Sequence, residues 1–208
     1  MSEYFIPAGS GEAEFAEKRS SFLGHVRMVE TEEEAKAFVA EMKKKYYDAR
    51  HNCWCYIIRE GAVRYSDDGE PQGTAGIPML EVFKREGIEN VVCVVTRYFG
   101  GVLLGAGGLL RAYTKSAKDA LDAAGVSVVR RWIKAEVPCT YSMLERVKLE
   151  CAAVNGVVEN VEYGADVVVK ALLPEENAEG FALRITDISG GKSSVSTVGE
   201  AFMPVKIK

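Results

Sequence analysis

Hydrophobic and polar positions in the first fifty residues predict two strands followed by one helix. Apolar and polar residues mix over 12–18 and 22–29, which is typical of a short strand pair. Thr31 followed by Glu34 forms a capping box, and the apolar positions beyond it recur at helical spacing. We therefore predict a helix over 32–46.

The next segment predicts a hairpin, a polar loop and a second helix. Residues 52–59 and 62–65 are strand-like and are separated by a Glu-Gly turn. A long polar loop follows over 66–76. Pro78 suits the first turn of a helix, and Gly87 is suited to end it.

A strand, a glycine-rich loop and a long helix come next. Residues 91–96 are apolar throughout, which predicts a central strand with both faces covered. Five of the nine residues over 100–108 are glycine. The helical pattern then runs over about 108–124, and Gly125 is placed to end it.

A second domain is predicted from a restart of the pattern after Arg130-Arg131. Its order βαββαβ is that of a ferredoxin-like fold, which by itself specifies no function. We predict an α+β protein with domains 1–130 and 131–208. The second domain contains strand 132–139, helix 142–154, strands 157–163 and 166–173, helix 175–187 and strand 193–205.

The composition indicates a folded, cytoplasmic protein. With 208 residues, 48% of them hydrophobic and 27% charged, the chain can bury a substantial core. No run approaches eighteen apolar residues, and acidic residues occupy the start, where a signal peptide would be basic. The five cysteines are an odd number without an export signal, so we expect reduced thiols and no membrane association.

The distribution of charge along the chain is more informative about possible ligands than the total charge. The net charge of -4 gives no overall support for nucleic-acid binding. Residues 97–134, however, contain seven Lys or Arg and two Asp or Glu, a local net charge of +5. This basic segment includes the whole glycine-rich stretch over 100–108 and the helix after it.

The glycine-rich segment has the composition of a phosphate cradle. Glycines let a backbone approach an anion, and the start of a helix carries unpaired N–H groups and partial positive charge. The spacing excludes a P-loop, and Leu110 stands where a dinucleotide-binding loop needs its last glycine. The alternative is that the glycines only allow close packing. Candidate binding residues are Arg97, Gly100, Gly101, Gly105, Gly107 and Arg111.

Two other groups of residues could carry chemistry. Asp67, Asp68 and Glu70 could hold a magnesium ion or act as a general base. On composition alone a solvated turn is favoured, because Asp-Gly and Glu-Pro suit turns.

His51 shares a strand face with Cys53 and with a cysteine two residues on, but the spacing favours buried thiols over zinc. With only two histidines, the chain gives little support to covalent catalysis.

Four motifs resemble those of the YigZ/IMPACT family. They are SDDGEPQGTAGIPML (66–80), VVTRYFGGVLLGAGGLLRAY (94–113), DARHNC (48–53) and KRSSFLG (18–24). The resemblance spans nearly the whole chain. It implies an N-terminal domain similar to domain four of translation elongation factor G and a C-terminal domain similar to its domain five.

The resemblance also implies a connection to translation and RNA. Eukaryotic members add an N-terminal module that contacts translational-control proteins; no such segment is found here, so protein partners stay open. Some bacterial relatives are labelled proline dipeptidases, but the metal-site carboxylates and histidines for that activity are missing, and Cys55 departs from the family pattern. The resemblance makes site candidates of Asp67, Asp68, Glu70, Thr74, Arg97, Tyr98, Gly100, Gly101 and Arg111.

Three hypotheses follow. The first is a non-enzymatic RNA- or ribosome-associated factor, in which Arg97 and Arg111 neutralise phosphate while Tyr98 and Phe99 stack on bases. The second is an enzyme acting on a phosphorylated or anionic small molecule. It requires the acidic and glycine-rich motifs to meet in one cleft, with magnesium as an optional bridge. The third is an interaction scaffold whose two motifs stabilise a loop pair.

Overall fold

The chain folds into two compact units. A computed structural model describes residues 3–207. The N-terminal unit contains residues 4–128 together with 204–207, and the C-terminal unit contains 129–203 with Glu3. The strand Val126–Cys139 runs through the point of division, which therefore lies within an element. The division of the chain into domains 1–130 and 131–208 stays a prediction.

A five-stranded antiparallel sheet forms the centre of the N-terminal unit. Both the predicted strand pair and the predicted hairpin are present in it, and the apolar strand lies at its centre as predicted. The strands, in order across the sheet, are β2 (Gly11–Glu17), β3 (Ser20–Met28), β6 (Val91–Tyr98), β4 (His51–Ile57) and β5 (Val63–Ser66).

Helices cover both faces of this sheet. Successive side chains of a strand point to opposite faces, and β6 follows this rule. Val91, Cys93 and Val95 are in one buried cluster with residues of α2 (Gly76–Arg85) and α3 (Ala106–Ala124). Val92 and Val94 are in a second cluster with residues of α1 (Glu32–Lys45). The apolar run of β6 is therefore explained by burial on both sides.

The helix ends agree largely with the sequence signals. Thr31 and Glu34 form the predicted capping box of α1. Gly125 follows α3 with a φ of 73°, and its N–H donates to the carbonyl of Leu121. One prediction needs correction. Because α3 begins at Ala106, about two residues earlier than predicted, Arg111 lies in its second turn rather than its first.

The C-terminal unit has the predicted βαββαβ order, and its sheet has the order β10-β7-β9-β8, which confirms the ferredoxin-like arrangement. The apolar faces of its two helices share a buried cluster with the strands. The elements are β7 (Val126–Cys139), α4 (Leu144–Ala153), β8 (Val157–Tyr163), β9 (Val167–Pro174), α5 (Glu175–Ile188) and β10 (Ser196–Lys206). A short first strand, β1 (Tyr4–Pro7), also pairs with β7.

Two further observations bear on the expectations from composition. All five cysteines are free and buried, as expected for reduced thiols. None of the helices in the described part of the chain is both long enough and apolar enough to cross a membrane.

Candidate ligand-binding cleft

The acidic loop, residues 67–75, is held together by its own carboxylates. Asp67 accepts hydrogen bonds from the N–H groups of Gly73 (2.8 Å), Ala75 (3.0 Å) and Gly76 (2.8 Å). The carboxylate therefore caps the amino end of α2, where the N-cap residue itself supplies no side-chain cap. Thr74 is buried, and its hydroxyl donates to a carbonyl three residues earlier. Both residues have structural roles.

Asp68 connects the loop to two other elements. Its Oδ2 accepts from the N–H of Asn52 at 2.7 Å, and its Oδ1 accepts from Nζ of Lys43 at 2.6 Å. Its main-chain oxygen lies 2.8 Å from Nδ1 of His51. Asp68 thus ties the acidic loop to the start of β4 and to α1.

Glu70 forms a buried ion pair with Arg97. Nη1 of Arg97 donates to Oε1 of Glu70 at 2.7 Å, and the phenol of Tyr113 donates to the same oxygen at 2.9 Å. Nη2 of Arg97 donates to the hydroxyl of Ser20 at 3.3 Å. Only 8% of Glu70 and 5% of Arg97 is exposed. This network joins the acidic loop to β6, α3 and β3.

Burial keeps the neighbours of Glu70 uncharged. Burial raises the pKa of Tyr113 far above its usual value, and the nearby Cys53 and Glu70 add to the effect. Burial also raises the pKa of the Cys53 thiol well above its usual value. Tyr113 therefore acts as a hydrogen-bond donor, and Cys53 is a neutral core residue. This agrees with the interpretation of the thiols as buried core groups.

The three carboxylates do not share a site. Each is directed at different partners, and residues 3–207 contain no group of three or more His, Cys, Asp or Glu side chains that could hold a metal ion. This geometry gives no support to a magnesium site made by Asp67, Asp68 and Glu70, or to a zinc site at His51. The solvated-turn interpretation also needs correction, because Glu70 is buried and all three carboxylates accept hydrogen bonds from the protein.

The glycine-rich segment turns sharply from β6 into α3. A Cβ atom on Gly100 would lie 1.9 Å from the carbonyl oxygen of Arg19, so the chain can pass only without a side chain. Gly105 is the N-cap of α3, has a φ of 73°, and offers no side chain to cap the helix. Gly101 also has a positive φ, of 82°. Gly100 therefore allows close packing of the backbone, and Gly105 leaves the start of α3 without a capping side chain.

The acidic and glycine-rich motifs meet in one cleft. Its volume is about 340 Å³, within the range of about 300–1,000 Å³ that is usual for small-molecule sites. Glu70 and Arg97 lie on its polar side, Gly105 and Ala106 bring the start of α3 to it, and the leucines of the glycine-rich segment form much of the rest. Asp67, Asp68, Thr74, Tyr98, Gly100, Gly101, Gly107 and Arg111 are not among the residues that line it.

The basic segment is not a basic surface. Arg97 is buried against Glu70, so it is not free to neutralise a phosphate as predicted. Lys115 pairs with an aspartate one turn on, and Lys118 pairs with two carboxylates. Arg130 and Arg131 belong to the C-terminal unit and also form ion pairs. Most of the basic residues counted over 97–134 are therefore paired, and they are divided between the two units.

Two cations at or near the cleft form no ion pair with the residues that the structure describes. Arg111 is exposed, and Arg50, which the sequence reasoning did not select, is exposed and lines the cleft. The guanidinium of Arg50 lies 5.7 Å from the ring centroid of Phe99, which also lines the cleft and is 38% exposed. None of the ion pairs within 4.0 Å among residues 3–207 involves Arg50 or Arg111. The neighbouring Tyr98 donates instead to Asp48, a bond that raises the pKa of Tyr98.

His51 also lines the cleft, and sequence reasoning considered it only as a zinc ligand. Its Nε2 lies 3.9 Å from Oε1 of Glu70. Residues 51 and 97 are paired in register across β4 and β6, which brings His51 beside Arg97. The motif DARHNC contains both Arg50 and His51, and it is the only sequence signal that marks Arg50. It carried no information on what they face.

Comparisons with known proteins agree with this architecture. Residues 18–121 match the Impact N-terminal domain, and residues 137–192 match a domain of unknown function, DUF1949. The IMPACT family member YvyE of Bacillus subtilis is 37% identical over 198 residues, covering 94% of this chain and 91% of the relative. The IMPACT family member YigZ of Escherichia coli is 32% identical over 206 residues, covering 96% and 100%.

A solved structure described as the crystal structure of a hypothetical protein is also similar. It is 30% identical, with a TM-score of 0.59, and the match covers 96% of this chain and 98% of that chain. The similarity therefore extends over both units. Together with the motifs that build the cleft, the matches show that the chain belongs to the IMPACT family.

Proposed function

We propose that this chain is a non-enzymatic, translation-associated factor that binds single-stranded RNA at the cleft of its N-terminal unit. The observation that carries the proposal is the open start of α3, which meets the exposed, unpaired Arg50 and an exposed aromatic ring at one cleft. The connection to translation, and a cytoplasmic location, rest on the family resemblance and on the sequence.

The start of α3 can hold a phosphate group. The first N–H groups of a helix have no partner within the helix and carry partial positive charge. Gly105 supplies no side chain in front of them, so a ligand can approach the backbone. Arg50 and Arg111 add two full positive charges that no carboxylate of residues 3–207 neutralises within 4.0 Å.

Phe99 gives the same cleft a surface for a nucleobase. Its ring is 38% exposed, and the guanidinium of Arg50 lies near the ring. Stacking of a base on an aromatic side chain contributes about 1–3 kcal/mol. A phosphate site beside a stacking site is the combination that single-stranded RNA requires.

The site is smaller than the basic surface that the sequence suggested. If two arginines each contact one phosphate, log K should fall with log salt with a slope of about -1.4, since each contact on a single strand contributes about -0.7. We therefore expect moderate affinity and a shallow salt dependence, not the steep dependence of an extended basic surface.

The test is the binding of a single-stranded RNA of about 12 nucleotides, long enough for one such site, followed by fluorescence anisotropy. We expect the Arg50→Gln/Arg111→Gln variant to bind about tenfold or more weakly, with a salt slope near zero. The matched control is Arg64→Gln/Arg85→Gln, which removes two other exposed arginines of the N-terminal unit that form no ion pair within 4.0 Å among residues 3–207. Salt-independent binding, no binding, or an equal loss in the control would overturn the proposal.

An enzyme acting on a phosphorylated small molecule is the second candidate. One observation favours it: His51 faces the cleft beside the buried pair of Glu70 and Arg97, an arrangement that could serve acid-base chemistry. It predicts that a phosphorylated metabolite competes with RNA for the cleft and is converted. Turnover that His51→Gln abolishes, detected by mass spectrometry, would favour the enzyme.

A further inference from the structure

Two hydrogen-bond acceptors face each other at the polar end of the cleft. Nδ1 of His51 lies 2.8 Å from a main-chain carbonyl oxygen. That oxygen can only accept, so in the neutral ring Nδ1 carries the proton and Nε2 the lone pair. Both hydrogen bonds to Glu70 end on Oε1, and no side chain or backbone N–H among residues 3–207 donates to Oε2. The cleft therefore offers two acceptors on neighbouring side chains.

Both acceptors are open to the cleft. His51 and Glu70 line it, and neither Nε2 of His51 nor Oε2 of Glu70 is among the buried polar atoms without a partner in residues 3–207. Nε2 of His51 lies 3.9 Å from Oε1 of Glu70, so the two acceptors are close enough to meet one planar ring. Nε of Arg97 is buried and its Nη1 donates to Glu70, so Arg97 positions the carboxylate and does not contact the base.

Two neighbouring acceptors are complementary to one nucleobase, because only guanine has two adjacent donors on its Watson–Crick edge. The Watson–Crick edge of guanine presents an acceptor (O6), a donor (N1–H) and a second donor (the 2-amino group). Adenine and cytosine each place one amino group beside a ring acceptor, and uracil has one N–H between two carbonyls. With any base other than guanine, an acceptor of the cleft would face an acceptor of the base, which leaves buried polar groups unpaired.

The other walls suit a flat ring. Phe99 and Leu103 line the cleft, and Leu103 is 83% exposed, so apolar surface is available for a base to pack against. Resting on the proposed RNA binding, we propose that the cleft is a guanine-selective subsite. It takes one unpaired guanine of single-stranded RNA, with Glu70 accepting from N1–H and His51 accepting from the 2-amino group.

The test replaces guanine by inosine, which lacks only the 2-amino group. Two RNA strands, equal except for one guanine or one inosine in an otherwise uridine sequence, are compared by anisotropy, with an all-uridine strand as reference. We expect the guanine strand to bind about tenfold more tightly than the inosine strand, because one hydrogen bond to a polar site is lost. His51→Phe should reduce the guanine-to-inosine ratio to near one.

The outcomes separate this inference from the proposed function. Equal binding of all three strands, with the salt slope retained, overturns the guanine subsite and leaves RNA binding standing. No binding of any strand overturns both. If a folded His51→Phe variant prefers guanine over inosine as strongly as the wild type does, the assignment of His51 as an acceptor is overturned. Tyr98→Phe, which changes a side chain outside the cleft, is the matched control and should keep the wild-type ratio.

Discussion

The acidic loop and the glycine-rich segment border the same cleft but use their polar groups in opposite ways. In the acidic loop, Asp67 holds three backbone N–H groups, and Asp68 holds a fourth together with a lysine. The glycine-rich segment has few side chains to bond with. It leaves the start of α3 without a side-chain cap and exposes Leu103.

The difference shows that charge in a motif is a poor indicator of function. A carboxylate that accepts several backbone hydrogen bonds stabilises the fold and is not available to a ligand. The free N–H groups of a helix start and an unpaired arginine remain available to a ligand. Of the three acidic residues, only Glu70 lines the cleft, and it does so through a buried pair with Arg97.

The largest expected effect is the loss of this buried pair. Arg97→Met leaves the Glu70 carboxylate buried without compensation, so the free energy of unfolding should fall by about 3–5 kcal/mol. Lys115→Met breaks an exposed pair on α3 and should cost less than about 1 kcal/mol. Urea denaturation measures both, and the double variant Glu70→Leu/Arg97→Met should recover much of the loss. Equal costs for the two single variants would contradict the role assigned to the pair.

A second prediction separates the two loops directly. Asp67→Ala removes the acceptor for three N–H groups, and we expect it to lower the free energy of unfolding by about 2 kcal/mol. Leu103→Ala, in the glycine-rich segment, should change it by less than about 0.5 kcal/mol because the side chain is 83% exposed. Thermal and urea unfolding provide the measurement. A larger cost for Leu103→Ala than for Asp67→Ala would reverse the comparison.

A third prediction distinguishes two glycines of the same segment. Gly100→Ala would place a methyl group 1.9 Å from a backbone oxygen, and the required shift should cost about 1–3 kcal/mol. At Gly107, inside α3, the nearest atom would be 3.7 Å away on a flexible arginine, so Gly107→Ala should stabilise the protein by up to about 1 kcal/mol. Melting temperatures that change in the same direction for both variants would rule this distinction out.

Most of the fold could be predicted because its signals are local. The capping box at Thr31 and Glu34, the apolar run of β6 and the βαββαβ order each depend on neighbours in sequence, and all three are confirmed. The sequence predicts too late a start for α3 because Gly105, Gly107 and Gly108 around Ala106 are weak helix signals.

The site could be predicted only in part. The family motifs pointed to both loops, and these do meet in one cleft. The partners of Arg97 lie 27 and 77 positions away in sequence, and no local pattern reports such pairings. Arg50 was missed because a single arginine before a strand carries no signal, although Phe99 lies beside it in space.

The sequence by itself determined the elements, the two-unit α+β architecture and the two motifs that matter. These follow from hydrophobic periodicity, helix-capping residues and long motifs that are read along the chain. The tertiary structure alone decided which charges are available. Burial and pairing assign Asp67, Asp68 and Arg97 to the fold, and they leave Arg50, Arg111 and the start of α3 for a ligand. The physical reason is that a charge is compensated by its neighbours in space, and sequence distance does not measure that proximity.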